Sequence, residues 1–302
     1  MNDKQSSMTA LISSFGRAYH NEKDTPIIFR DPVARQLMTD DEYTQIAAYM
    51  IGGIDFFAPE KKNDFTDKGD MLKWVVQTQI SPTPLARARY CEDMLENTIR
   101  IGAEQYVILG AGMDTFAYRN DKMLSRIKVF EVDHPDTQRF KKQKVQQAGC
   151  VISENLRYVP IDFANDNLVD ELEKTGFDRS KRTFFSWLGV SYYLTKEQIL
   201  NTLQAISAIS PKGSSIVFDY ADENLFVSDI KRVQNMIAMA KASGEPMQSC
   251  FGYEELERLL EKADFSLYEH LSTENIEERF FAGRSDYLHA FEHVNYVLAV
   301  KR

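Results

Sequence analysis

Between residues 105 and 300, short apolar runs alternate with longer stretches whose apolar positions recur every three or four residues, the signature of strands alternating with helices. Tyr106 to Leu109 and Val129 to Asp133 are the first two strands. Leu156 to Ile161 is the third, Arg182 to Val190 (RTFFSWLGV) the fourth and Ser215 to Tyr220 the fifth. Pro135 to Ala148 is a helix rich in Lys and Gln, closed by Gly149. Thr195-Lys196-Glu197-Gln198 is a capping box, and it opens a helix with Ile199, Leu203, Ile206 and Ile209 on one face. This alternation predicts an α/β fold with a mostly parallel sheet covered on both faces.

The pattern changes twice. After Tyr220, the polar, Met-bearing stretch from Asp222 to Ala242 is helical and stands outside the alternation. A helix over Tyr253 to Ala263 and strands near Phe265 to Leu271 and Asn295 to Val300 then resume it. Before residue 102 no convincing strand pair occurs and helical signals dominate: Ala10 to His20, Pro32 to Met38, and a segment with Thr83 as N-cap and Pro84 at its first position, stopped by Gly102. The expectation is a single domain over 1–302. A helical cap (1–102) covers the carboxyl edge of a core (103–302) that carries an insertion at about 222–250.

Candidate chemistry concentrates where the first two strands end. Gly110-Ala111-Gly112 follows the first strand, and Asp133 closes the second, 23 positions after Gly110. Glycines there let the backbone turn and approach a ligand closely, and an acidic residue ending the neighbouring parallel strand can accept hydrogen bonds from ribose hydroxyls. A dinucleotide fingerprint would have a third glycine, letting a helix N-terminus meet a pyrophosphate. That position is Thr115, and Asp114 lies beside the loop. A carboxylate suits a cofactor bearing ammonium or sulfonium charge better than a pyrophosphate, favouring S-adenosylmethionine over NAD. A nicotinamide-dependent oxidoreductase stays open as the alternative at this level, as does a non-catalytic cofactor-binding regulatory module.

Composition narrows the setting. Net charge is −9, from 45 acidic and 36 basic residues among 302, which disfavours a nucleic-acid partner. Cys91, Cys150 and Cys250 are scattered singly, with neither disulfide nor zinc spacing. No signal segment or membrane span is legible, so a soluble, cytoplasmic protein is expected.

The ordered motifs ARARY, LGAGMDTFAYR, EVDHP, VPIDF and FFSWLGVSYYLT resemble the leucine carboxyl methyltransferase family, in particular its bacterial branch of S-adenosylmethionine-dependent methyltransferases, over roughly Arg17 to Phe265. The resemblance implies a Rossmann-like class I methyltransferase sheet of about seven strands and S-adenosylmethionine as cofactor. It implies that Gly110 lies against the methionine moiety, Asp133 binds the ribose, and Asp162 and Phe163 hold the adenine. A basic residue ahead of the glycine loop grips the cofactor carboxylate: Arg89 is the first choice and Arg87 the second, with Arg17 supplying a further charge from the N-terminal helix. An Arg–carboxylate pair can be bidentate, which favours Arg over Lys. One departure stands out, since relatives carry Glu where this chain has Leu188, putting methylation of a phosphatase subunit in doubt.

Methyl transfer from a sulfonium is an in-line displacement that depends on alignment and exclusion of water. A carboxylate acceptor needs no general base near neutral pH, because its pKa is about 4. The expected activity is therefore O-methylation of a carboxyl or hydroxyl group of a small molecule, a protein acceptor being the lesser alternative. Tyr192 and Tyr193, past the fourth strand, are the candidates to orient the acceptor or face the sulfonium. No metal is expected: His289 and His293 read as surface residues, and Asp219 with Asp222 as strand-end carboxylates. Lys141-Lys142-Gln143-Lys144 reads as a solvated helix face.

Overall fold

The computed structural model describes residues 3–162 and 166–302. Its sheet is formed by β1 (Gln105–Leu109), β2 (Lys128–Asp133), β3 (Leu156–Pro160), β4 (Thr183–Trp187), β5 (Ser215–Ala221), β6 (Phe265–Leu271) and β7 (Val294–Lys301). The strand order is β3-β2-β1-β4-β5-β7-β6, and only β7 runs antiparallel to its neighbours. The chain leaves β1 toward β2 and β3, then returns to place β4 on the other side of β1. That reversal is a topological switch point, and it brings the loops after β1 and β4 side by side at the carboxyl edge.

The middle strands β1, β4 and β5 are buried on both faces, which is why they read as continuous apolar runs. Tyr106 and Ile108 point into one core, which includes Leu85, Tyr90 and Leu95 of the Pro82–Arg100 helix. Val107 and Leu109 point into the other, with Ile199, Leu203 and Leu260 from the helices Lys196–Ile209 and Tyr253–Lys262. This is the period-two alternation of a strand sandwiched between helices. β4 ends at Trp187 rather than Val190, because Gly189 adopts φ +74° and the chain turns into a short 3-10 helix over Ser191–Tyr193.

The N-terminal region is helical up to Arg100 and has its own cluster, in which Phe15, Ala34, Ile54 and Val75 pack with Met113 of the glycine loop. The helix that carries the arginines starts at Pro82, two residues before Pro84. Thr83 is therefore inside it, and Ser81 is the cap residue. The Ser81 hydroxyl donates to the Gly16 carbonyl (3.2 Å), so it ties two cap helices together instead of closing its own helix end. After β5, only Lys231–Ala242 of the inserted stretch is α-helical. The chain then returns along the site edge, where the Gln248 N–H donates to the Tyr192 carbonyl (2.7 Å) and Phe251 N–H to Ala221 (3.0 Å).

The lysine run is not a solvated face. On helix Pro135–Gln147, Lys141 is 1 % exposed and paired with the equally buried Glu131 of β2 at 2.6 Å, while Lys144 is buried against Glu42 of the cap; Lys142 alone of the three is exposed. The spacing of Lys141 and Lys144 fits a helix face turned toward the sheet and the N-terminal helices, and only the carboxylates supplied by other elements, Glu131 of β2 and Glu42, make that burial tolerable. Among the described residues, no helix is long and apolar enough to cross a membrane.

Candidate functional site

The glycine loop is held by backbone bonds to β2. The N–H groups of Gly110 and Ala111 both donate to the Val132 carbonyl, at 2.9 and 3.1 Å. Gly110 has φ +69° and Gly112 φ +47°, and a Cβ on Gly110 would lie 2.8 Å from the Val190 side chain of the adjacent loop. Both the turn and the close approach therefore require glycine at 110. Asp133 caps this arrangement: Oδ2 accepts from Gly112 N–H (2.5 Å) and Oδ1 from His134 N–H (2.7 Å). Burial raises its pKa above the usual carboxylate value, against the pull of these two N–H groups. Each oxygen has a second lone pair with which to accept a hydroxyl hydrogen.

Thr115, where a dinucleotide site would have its third glycine, is a connector. Its hydroxyl donates to Asp31 (2.8 Å) and accepts from Arg119 Nε (2.9 Å), and Arg119 is paired with Glu92 of the Pro82–Arg100 helix. Arg17 joins the same network. Its Nε donates to Asp31 (2.9 Å), Nη2 to the Met113 carbonyl (2.7 Å) and Nη1 to Ser13 (3.3 Å to the hydroxyl). All three of its nitrogens are engaged, so Arg17 staples the N-terminal helix to the glycine loop.

The two candidate arginines of ARARY part company. Two residues apart on a helix, they project on opposite sides. Arg89 is exposed and paired through Nε with Asp93, four residues along its own helix (2.9 and 3.0 Å). It borders a surface hollow with Arg279 and Arg284, so the structure does not bring it to the glycine loop. Arg87 is the arginine at the carboxyl edge. Its Nη1 donates to Asp219 Oδ2 at 2.8 Å and to the Tyr192 hydroxyl at 3.2 Å, and its guanidinium lies flat on Gly189, where a Cβ would fall 2.6 Å from Nη2. Burial alone would lower its pKa, but the adjoining Asp219 outweighs that and keeps the group charged. Among the described residues, Nε and Nη2 make no hydrogen bond, so this edge remains available to a carboxylate.

Asp219 was legible only as a strand-end carboxylate, and its partnership with Arg87 was missed. The one available signal was Gly189 within an apolar run, which marks close backbone approach. The side chain of Asp219 is fully buried, and its Oδ1 accepts from Gly189 N–H at 2.6 Å. Leu188, one residue earlier, packs against the apolar core. Tyr192 is buried, and Tyr193 stacks edge-on against it with centroids 4.8 Å apart. Burial raises both phenol pKa values, that of Tyr193 to about 12, so both remain protonated near neutral pH. Asp162 lies partly buried just past β3, its N–H donating to Asp166 (2.8 Å), while Phe163 lies outside the described residues. His289 meets Arg232, and His293 meets Asp222 (3.0 Å) and Ser228 (3.1 Å), so both anchor the insertion and the loop before β7.

A seven-stranded Rossmann-like sheet with a glycine turn and a capped strand-end aspartate at its switch point defines a nucleotide-cofactor enzyme, and comparison with known proteins makes the class specific. Residues 10–207 match the model of the leucine carboxyl methyltransferase family, to which the chain belongs. It is 49% identical to the Bacillus subtilis (strain 168) protein named "Putative S-adenosyl-L-methionine-dependent methyltransferase YktD", with all of both chains covered. It is 28% identical to a Mycobacterium ulcerans (strain Agy99) protein of the same description, over 78% of this chain and 71% of the relative. Among solved structures, a DUF574 family protein of Streptomyces avermitilis shares the fold, with a TM-score of 0.59 at 13% identity, covering 96% of this chain and 97% of that one. The chain is thus an S-adenosylmethionine-dependent methyltransferase, and the nicotinamide alternative lapses.

The site fits that cofactor on its own geometry. Each Asp133 oxygen keeps a lone pair beyond the N–H it accepts, a Cβ at 110 would crowd Val190, and Arg87 lies at the same carboxyl edge with Nε and Nη2 making no hydrogen bond among the described residues.

Proposed function

We propose that this enzyme methylates a carboxyl or hydroxyl oxygen of a small molecule. When bound, S-adenosylmethionine supplies an electrophilic methyl group on a sulfonium. Asp133 holds the ribose hydroxyls, the backbone at Gly110 lies along the methionine moiety, and Arg87 takes its carboxylate in place of Arg89. Asp162 and Phe163 hold the adenine. Arg17 acts indirectly, by fixing Met113 and with it the glycine loop. Tyr192 and Tyr193 border the acceptor and orient it through neutral hydroxyls or ring faces.

The observation that supports a carboxyl oxygen in particular is that the groups at this edge are poorly placed to act as a base. Both phenols stay neutral, and both Asp219 oxygens are tied to Arg87 and Gly189. A side chain so committed is a poor general base, whereas a carboxylate acceptor arrives already ionised and needs only alignment and exclusion of water. The test is the formation of S-adenosylhomocysteine with matched panels of carboxylic acids, phenols, alcohols, amines and thiols. Turnover confined to amines or thiols would sink the proposal. Carboxylate turnover with a flat pH profile from about 6 to 9 is the expected result.

A further inference from the structure

We infer that Asp219 is a positioning residue for cofactor recognition, holding Arg87 by one edge so that its other edge is presented to the carboxylate of the cofactor's methionine moiety. This rests on the placement of Arg87 in the cofactor site proposed above.

Three contacts fix the guanidinium. Asp219 Oδ2 takes the Nη1 hydrogen at 2.8 Å and sets its direction within the plane. Gly189 sets the plane itself, since hypothetical Cβ distances of 2.6, 2.7 and 2.9 Å to Nη2, Nη1 and Cζ mean that the group lies directly on that residue's Cα. The Tyr192 hydroxyl takes the remaining Nη1 bond at 3.2 Å.

Asp219 also governs the other two contacts. Its Oδ1 accepts from Gly189 N–H at 2.6 Å, and its carbonyl accepts from the Ser191 hydroxyl at 2.5 Å, so it fixes the turn that carries Gly189 and Tyr192. The Asp219 side chain is 0% exposed and that of Arg87 is 16% exposed. A carboxylate so deep in the fold demands its partner, so the pair forms with the fold and Arg87 is oriented before any ligand arrives. Among the described residues, what stays unspent is the Nε–Nη2 edge, the two-donor fork that fits a carboxylate.

A purely structural pair would affect every ligand alike; a positioning pair affects only those with a carboxylate. S-adenosylhomocysteine and 5′-methylthioadenosine make that distinction, because the second keeps adenosine and thioether but lacks the amino-acid moiety. Binding of both is to be measured by calorimetry on wild type, Arg87→Gln, Asp219→Asn and Asp219→Glu. The last keeps the charge but moves it by one methylene, which guards against loss of folding in Asp219→Asn. The expected result is that both Asp219 variants lose about tenfold or more in affinity for S-adenosylhomocysteine, while 5′-methylthioadenosine changes by less than about twofold, the pattern also shown by Arg87→Gln. If Arg87→Gln discriminates between the ligands but the Asp219 variants weaken both equally or neither, the positioning role is overturned and Arg87 keeps its place. If Arg87→Gln itself does not discriminate, both assignments fall.

Discussion

On the β1–β2 side of the candidate site, the bond that shapes the glycine turn joins Gly112 to Asp133 over 21 positions and uses a backbone N–H; on the β4–β5 side, Arg87 meets Asp219 over 132 positions, side chain to side chain. The first side is made by strand geometry, which places adjacent parallel strand ends together whatever packs around them. The second exists only once the Pro82–Arg100 helix has docked on the sheet. Backbone-built pockets should therefore tolerate side-chain changes with a local loss of affinity, whereas a pocket built on a buried ion pair should lose stability as well.

The largest expected effect follows from that contrast. Arg87→Ala leaves the fully buried Asp219 unpaired and should destabilise the fold by about 3 kcal/mol or more, read from denaturant unfolding, along with weaker S-adenosylhomocysteine binding. A stable Arg87→Ala protein would erase the distinction between the two sides. Asp133→Ala should cost about 1 to 3 kcal/mol of cofactor affinity by calorimetry, with much less effect on unfolding. Unchanged affinity would remove Asp133 from the site.

A third expectation concerns Glu131, one pleat below Asp133 on the same strand face, whose pKa burial raises from 4.5 to about 7 despite Lys141. Because the folded state holds this proton more tightly than the unfolded one, its contribution to stability is complete below about pH 4.5 and is lost as pH rises through about 7. Glu131→Gln combined with Lys141→Met should therefore gain stability relative to wild type across that window, and a constant difference would refute the linkage. Asp162→Ala should weaken binding modestly, by about 1 kcal/mol, if it meets the adenine. The smallest effect belongs to Arg89→Ala: its pair with Asp93 is an exposed i,i+4 contact, and stability should change by less than about 0.5 kcal/mol with cofactor affinity intact. A tenfold loss of affinity there would return Arg89 to the site in place of Arg87.

Strand and helix placement was legible because period-two and period-3.6 patterns survive burial, and the glycine turn with Asp133 because its chemistry lies close along the chain. The β4 boundary was not, since RTFFSWLGV stays apolar past the point where Gly189 turns. Nor was the start of the arginine helix, because Pro82 and Pro84 fit a first turn equally well and the Ser81 hydroxyl is spent on Gly16.

By itself the sequence determined the parallel sheet, the switch-point loop and the methyl-donor cofactor, all consequences of local pattern and of a family motif read in order. Only the tertiary structure decided which of two arginines lies against the turn after β4, that Arg17 is saturated by Asp31, Met113 and Ser13, and that two of three lysines in a charged run are buried. The reason is common to all three. A charged side chain goes where a carboxylate or carbonyl brought up by another element offsets its desolvation, and its own helix pattern does not carry the position of that partner.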